Sequence, residues 1–331
     1  MARVATSLLS GVWPQSGVGG LGGMDERRSI AKITLVCPRC RAPFSYPAEE
    51  VECRNCRARF AHEDGILRLV SGANAAPGFD PHYFPLLSQV EQEHFWFVVR
   101  REVILDALGR AVPDLRSRPL FDIGCGSGGL LAFLAEAGIP VAGACDAYLE
   151  GLQIARQRID RPFLLVDEGR LPPLGPGQPM IGMFDVLEHM DDDQGTLDWA
   201  ASVLEPGGVL VLTVPAHPFL FDEMDELAHH RRRYRREELR EKLERAGLRI
   251  QFISHFMATL VPMLMMLRWL GRQIRGGRHA VMKRRSAELS VVPVLNDLLR
   301  TLLRLERYWL RLLPLPFGSS LVAIATRPAA R

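Results

Sequence analysis

No uninterrupted apolar run in this 331-residue chain reaches the roughly 20 residues that a membrane-spanning helix needs. The longest candidate, Phe256 to Leu267, is short and is broken by Pro262. An excess of charge of one sign is also lacking: 41 basic residues against 38 acidic ones leave a net charge of only +3, too little to argue for a nucleic-acid partner by itself. The N-terminus lacks the features of a secretion signal. Ala5 to Val12 is weakly apolar, follows a single Arg3 and runs at once into Trp13-Pro14. Residues 1–29, glycine-rich from Gly11 to Gly23, are expected to be unstructured, and Met24 is an alternative start. The default expectation is a cytoplasmic protein with reduced thiols. With 47% hydrophobic and 24% charged residues, the composition is that of a globular chain with room for one large domain and a small one.

Cysteine is sparse too, but four of the six are paired: Cys37-Pro-Arg-Cys40 and Cys53-Arg-Asn-Cys56, with twelve residues between the pairs. Each C-x-x-C offers two thiolates from one tight turn. Two such turns make the tetrahedral sulfur site that zinc prefers. A redox pair or a disulfide framework is the competing reading. The metal would fold residues 30–71, which are too few to build a core of their own. Arg39, Arg41, Arg54, Arg57 and Arg59 make this segment basic. That is either a solvated face or a surface for RNA. Residues 72–90, rich in Gly, Ala, Asn and Pro from Ser71 to Pro85, read as a linker.

The rest of the chain is organised around Leu120-Phe-Asp-Ile-Gly-Cys-Gly-Ser-Gly-Gly129. A buried strand ends in a glycine loop, and Leu130 to Ala137 follows as a helix. Glycine lets the backbone bend sharply and approach a ligand closely. The helix start presents unpaired N–H groups. Gly124, Gly126 and Gly129 also satisfy the dinucleotide pattern, so the loop alone leaves two cofactor classes open. Further strands are expected over Pro140–Asp146, Phe163–Asp167, the stretch before Glu188-His189, and the one following Leu204-Glu-Pro-Gly-Gly208. A helix is expected from Glu91 to Leu108, carrying His94, Phe95, Trp96 and Phe97. From it Arg100 or Arg101 could reach a cofactor carboxylate.

Five segments in this order decide between the cofactor classes: Asp122 to Gly128, Asp146, Asp167 with Leu171-Pro172, Asp185-Val-Leu-Glu-His189, and Leu204 to Gly208. Residues 91–331 thereby resemble a class I S-adenosylmethionine-dependent methyltransferase, of the type 11/12 kind found in bacteria. Residues 30–71 resemble the zinc ribbons that accompany some of these enzymes. The resemblance implies a Rossmann-like α/β fold, with helices on both faces of a seven-stranded sheet. It implies that Asp122, Gly124, Gly126 and Gly128 hold the methionine part of the cofactor and that Asp146 takes the ribose. Asp167 would face the adenine, and Phe184 and Asp185 would line the site. Zinc would be held by Cys37, Cys40, Cys53 and Cys56.

A hydroxyl acceptor needs a base. Glu188 with His189, then His217, His229, His230 and Tyr234, are the candidates on the expected substrate edge. Arg232 and Arg233 beside them could bind an anionic group. Residues 257–316 form a helical insertion before the last strand, apolar at first and then basic through Arg285. A helical cap, a lid for an apolar substrate, and a helix resting on anionic lipid through 256–285 all fit that order. The expected activity is O-methylation of a small or lipid-linked molecule. RNA base methylation and a non-catalytic S-adenosylmethionine-binding regulator are the alternatives.

Overall fold

The computed structural model describes residues 33–46, 51–70, 83–273 and 291–329. The expectation for 1–29, and that for the basic stretch beyond 273, fall outside them. Ile33–Val36 (β1) and Pro43–Tyr46 (β2) form one small antiparallel pair. Val51–Glu52 (β3) and Arg59–Phe60 (β4) form another. His62–Glu63 (β5) and Ile66–Arg68 (β6) follow and leave the small module. Helices α1 (Tyr83–Glu93) and α2 (Phe95–Ala111) come next. The alternation then runs β7 (Leu120–Ile123), α3 (Gly129–Glu136), β8 (Val141–Asp146), α4 (Leu149–Arg158), β9 (Phe163–Leu165) and β10 (Gln178–Phe184). It continues with α5 (Asp193–Val203), β11 (Leu204–Pro215), α6 (Glu223–Leu227), α7 (Arg236–Arg245) and β12 (Arg249–Phe256). The last elements are α8 (Leu260–Gln273), α9 (Pro293–Leu310) and β13 (Ser320–Thr326).

The main sheet has nine strands in the order β12-β13-β11-β10-β7-β8-β9-β6-β5. Seven of them are the expected set, parallel except for β13 between β11 and β12. The other two come from the cysteine segment. β6 pairs in parallel with β9 through Ile66↔Phe163 to Arg68↔Leu165, and β5 pairs antiparallel with β6. Ile66 and Leu67 are fully buried there. The segment is therefore not a bead on a linker: its last strand caps the edge that β9 would otherwise leave open.

Every residue of β7 and β8 is buried, as strands covered on both faces require. One face carries α2, α3 and α4 over Leu120, Ala144 and Phe163, and the other carries α5 and α7 over Phe121, Ile181 and Leu212. The single expected helix of 91–108 is two helices. His94 breaks them, its ring accepting from Trp96 N–H at 3.3 Å as the cap of α2. The first helix starts at Tyr83, inside the stretch read as linker. Asn296 bridges the break: its amide donates to Glu93 O (3.1 Å) and accepts from Phe95 N–H (2.8 Å).

The insertion is helical as expected. Its second helix, α9, turns arginines toward α2, pairing Arg304 with Glu102 (2.6 Å) and Arg307 and Arg311 with Asp106 (2.6 and 2.9 Å). Leu298, Leu302, Leu305 and Trp309 on α9, and Leu312 just after it, are exposed. No helix among the described residues is long and apolar enough to cross a membrane.

Candidate functional site

The sheet changes direction between β7 and β10, both followed by loops at their carboxyl ends. In open α/β sheets the ligand crevice lies at that point. Gly124, Gly126 and Gly128 take φ of 72°, 56° and 74°, the left-handed region in which a side chain is strained. Gly128 has a second reason to lack a side chain, since a Cβ there would lie 2.7 Å from that of Ala155 on α4. The loop is tied to the next strand. Gly126 N–H donates to Asp146 Oδ2 (2.7 Å) and Tyr148 N–H to Asp146 Oδ1 (3.0 Å). A Ser127–Glu91–Arg158 cluster clamps its far side, with Arg158 Nη1 2.8 Å from Glu91.

Asp122 is the anomaly. It is buried at the end of β7, and its Oδ1 has no hydrogen-bond partner. Burial pushes its carboxyl up to about 7, Arg100 pulls it back in part, and the Asp146 charge pushes it up again. Burial also raises Asp146, against the N–H donors that hold it. A buried acceptor without a donor is costly in a finished core. It suits a site completed by a cationic ligand, and a left-handed glycine loop suits one that must come close. The residues therefore fit S-adenosylmethionine, whose ammonium can supply that missing donor.

Asp185, after β10, takes φ 59°. Its Oδ2 lies 2.6 Å from Arg100 Nη2, and its Oδ1 accepts from Thr213 Oγ1 (3.0 Å). Arg100 Nη2 is thus held by a protein acid, while its buried Nε has no hydrogen-bond partner. Arg101 stacks on Phe133, 4.8 Å from the ring centre. Phe184 is buried beside Gly182, and Asp167 follows β9 at the same edge of the sheet.

Glu188, His189, His229 and His230 are brought together. The 229–234 loop folds back on the end of β10, with Arg231 N–H donating to Glu188 O (2.8 Å). The His189 and His230 rings meet edge to face at 4.9 Å. His189 Nδ1 lies 3.3 Å from His229 O, so His229, at φ 59°, serves through its backbone. His230 Nδ1 lies 2.9 Å from Asp225 Oδ1, and its Nε2 is 3.9 Å from Glu188 Oε1. Glu188 is completely buried, and neither carboxylate oxygen has a hydrogen-bond partner. Burial, and then Asp185, raise its carboxyl well above the usual range. Burial and the neighbouring His230 bring His189 down to about 4, so its ring is neutral.

Two candidates stand elsewhere. Tyr234 is wholly buried, and its hydroxyl donates to Asp193 Oδ2 (2.9 Å) and reaches Leu187 O (3.3 Å). Burial and the Asp193 charge raise its hydroxyl, so Tyr234 is a core strut and not a base. His217, at φ 62°, stacks on His255 (5.0 Å, 7° between planes) and on Phe317 (4.4 Å). Its Nε2 has no partner, and burial and Arg233 lower its basicity. Three non-glycine residues with positive φ, Asp185, His217 and His229, lie in these two groups. Such strain, about 1–3 kcal/mol each, collects at functional sites. Sequence reading missed Asp225, which holds His230 while Arg233 Nη2 pairs with it at 2.8 Å, and it missed His255. The visible trace of Asp225 was the Asp222-x-x-Asp225 capping box of α6.

The four cysteines form a second site. Their Sγ atoms lie within 4.8 Å of one another, with Cys37–Cys56 at 3.7 Å and Cys40–Cys53 at 3.5 Å. A tetrahedron with metal–sulfur bonds of about 2.3 Å has edges of about 3.8 Å, so the arrangement suits zinc. The two turns repeat one another. Arg41 and Arg57, each the residue after a turn's second cysteine, take φ of 63° and 59° and donate to Cys37 O and Cys53 O.

A doubly wound sheet with a glycine loop and an unpartnered acid at its switch point defines the Rossmann-like class of fold. Residues 95–251 match the family model described as a methyltransferase domain. Over 158 residues it is 30% identical to the ubiquinone biosynthesis O-methyltransferase of Bordetella avium. The match covers 45% of this chain and 61% of that relative, so the chain spans about three fifths of the relative's length. Among solved structures, a SAM-dependent methyltransferase from Archaeoglobus fulgidus is 18% identical, covering 74% of this chain and 99% of that one, with a TM-score of 0.45. Phosphoethanolamine N-methyltransferase 2 of Haemonchus contortus, in complex with S-adenosyl-L-methionine, is 17% identical over 68% of this chain and 52% of that one, with a TM-score of 0.45.

Proposed function

We propose that the protein methylates a hydroxyl oxygen of a small or lipid-linked molecule. The observation that carries this is the Glu188–His189–His230 cluster after β10, built on the buried Glu188, next to the acid-and-glycine edge that suits the cofactor. In this reading Asp122 takes the ammonium of S-adenosylmethionine. The 124–128 backbone wraps its amino-acid part, Asp146 takes the ribose, and Asp167 faces the adenine. Phe184 and the Arg100–Asp185 pair wall the site. The cofactor supplies a methyl group on a positively charged sulfur.

The chain's own work is to hold an acceptor oxygen in line with that methyl and to lower the proton cost of using it. Asp225 accepts the Nδ1 proton of His230, which leaves the Nε2 lone pair directed toward Glu188. The name of the Bordetella relative supports an oxygen acceptor. The outward apolar face of α9, with exposed Met265 and Met266 on α8, supports a lipid-linked one and a peripheral contact near 256–273. In the cysteine segment Arg57 and Arg59 are engaged with Glu52 at 3.3 and 3.0 Å, which favours a structural role over RNA contact.

Calorimetric binding of S-adenosylmethionine, followed by turnover of a phenolic acceptor, tests the reading. Asp146→Ala is expected to weaken cofactor binding about 10- to 100-fold, the loss of hydrogen bonds to a charged group. Unchanged affinity refutes the cofactor assignment. Cofactor binding without turnover of any hydroxyl acceptor leaves the regulatory alternative.

A further inference from the structure

We propose that Glu188, His189 and His230 hold a divalent metal ion, to which the hydroxyl of the methyl acceptor binds. One carboxylate oxygen and one nitrogen from each ring lie within 4.8 Å of one another. Glu188 is fully buried, yet both its oxygens lack a donor. A base role for His230 alone leaves that carboxylate unexplained, because a histidine acting as a base needs no second acid without partners facing it. A cation gives both oxygens a partner at once.

The surroundings of the two rings are those of metal ligands. His230 presents Nδ1 to the Asp225 carboxylate, and His189 presents Nδ1 to the carbonyl of His229. Each contact fixes the tautomer that leaves Nε2 as a lone pair, that of His230 lying 3.9 Å from Glu188 Oε1, and such outer partners orient metal-bound histidines. Asp225 is locked in turn by Arg233, whose Nε donates to both carboxylate oxygens at 2.9 Å. Two imidazoles and one carboxylate leave open positions on a first-row divalent ion. This set is distinct from the four cysteines. Its soft-ligand content is zero, so manganese, iron(II), cobalt or zinc suits it.

The catalytic part rests on the hydroxyl-methylation reading above. An acceptor oxygen bound to the ion loses its proton to water more readily, because the cation stabilises the oxyanion. That oxygen then forms the new bond to the methyl carbon, and the sulfur keeps the pair of the bond that breaks.

The experiment measures metal content and cofactor binding on the same full-length samples. Native protein loaded with zinc and desalted is expected to hold about one more equivalent than Glu188→Gln or His230→Ala, the ribbon's share being common to all. A manganese(II) titration followed by electron paramagnetic resonance avoids the thiolates. It should show about one site per chain, weakened at least roughly tenfold in both variants. Glu188→Gln keeps the side-chain shape, and near-ultraviolet circular dichroism confirms that each variant is folded. Equal zinc content and equal manganese affinity in native and variant protein overturn the proposal. If native protein binds S-adenosylmethionine but no manganese, the metal site alone falls. If it binds manganese at these residues but no cofactor, the site stands and the methyltransferase reading of it falls.

Discussion

Arg100 Nη2 sits 2.6 Å from Asp185 Oδ2, and Arg100 is 8% exposed. This contact joins α2, which enters from the N-terminal side, to the residue just after β10. It also fixes Asp185 in a backbone conformation, φ 59°, that aspartate tolerates better than most residues. Trp96 covers the guanidinium, with 5.2 Å between Arg100 Cζ and the ring centre. The pair is thus held on three sides: by Thr213, by Trp96 and by the strained turn.

Removing one partner should cost more than removing both. Arg100→Met strips a partly buried carboxylate of its counter-charge, with an expected loss of about 2–4 kcal/mol by urea unfolding. Asp185→Asn should cost less, and the double variant should recover part of the Arg100→Met loss. Strict additivity of the two single changes would show that the pair is not coupled.

Asp122 should make the protein without cofactor less stable as pH rises. Its folded value of about 7 lies above the unfolded value of about 3.9. Between these limits the folded state holds the extra proton, so this group's contribution falls from pH 4 to pH 7 and stays low above that. Asp122→Asn should flatten the thermal midpoint across that window and raise it at pH 8. The same substitution should weaken S-adenosylmethionine binding at pH 8 and remove its rise with pH through 7. Parallel pH profiles for native and variant protein, in both midpoint and affinity, would rule out Asp122 as the titrating ligand.

Withdrawing a metal held by the cysteines should reach the main sheet, because β6 is one of its strands. A chelator that removes metal from the cysteines is expected to lower the thermal midpoint by about 3 °C, the size of a loss of about 2 kcal/mol in a chain of this length. Cys37→Ser should do the same without chelator. A midpoint that stays put while zinc is lost would mean that β5 and β6 hold the edge unaided.

Much of this molecule is written locally. The strand–glycine–helix turn at 120–129 and the acids closing β7 and β8 are legible because a left-handed loop demands glycine and a doubly buried strand demands apolar residues. The two cysteine turns are legible because a tetrahedral sulfur site fixes their spacing. The break at His94 was not legible. Apolar periodicity runs through it, and the Asn296 side chain that bridges the two helices comes from 201 residues further on.

The histidines and Tyr234 show where the sequence stops. It placed six candidate bases after the strands, but residue type carries no information on which polar group will find a buried partner. Tyr234 meets Asp193 on α5, while His230 meets Asp225 and Glu188 beside His189. The extension of the sheet by β6 was likewise undecided, since pairing with β9 depends on an open edge nearly 100 residues away. Sequence by itself determined the glycine loop, seven strands of the main sheet and the four-cysteine cluster, each set by short-range geometry. Tertiary structure alone decided the partners of the histidines that follow β10 and β11. There a charge or a lone pair takes its role from what lies across the fold, and burial makes every unmet hydrogen bond expensive.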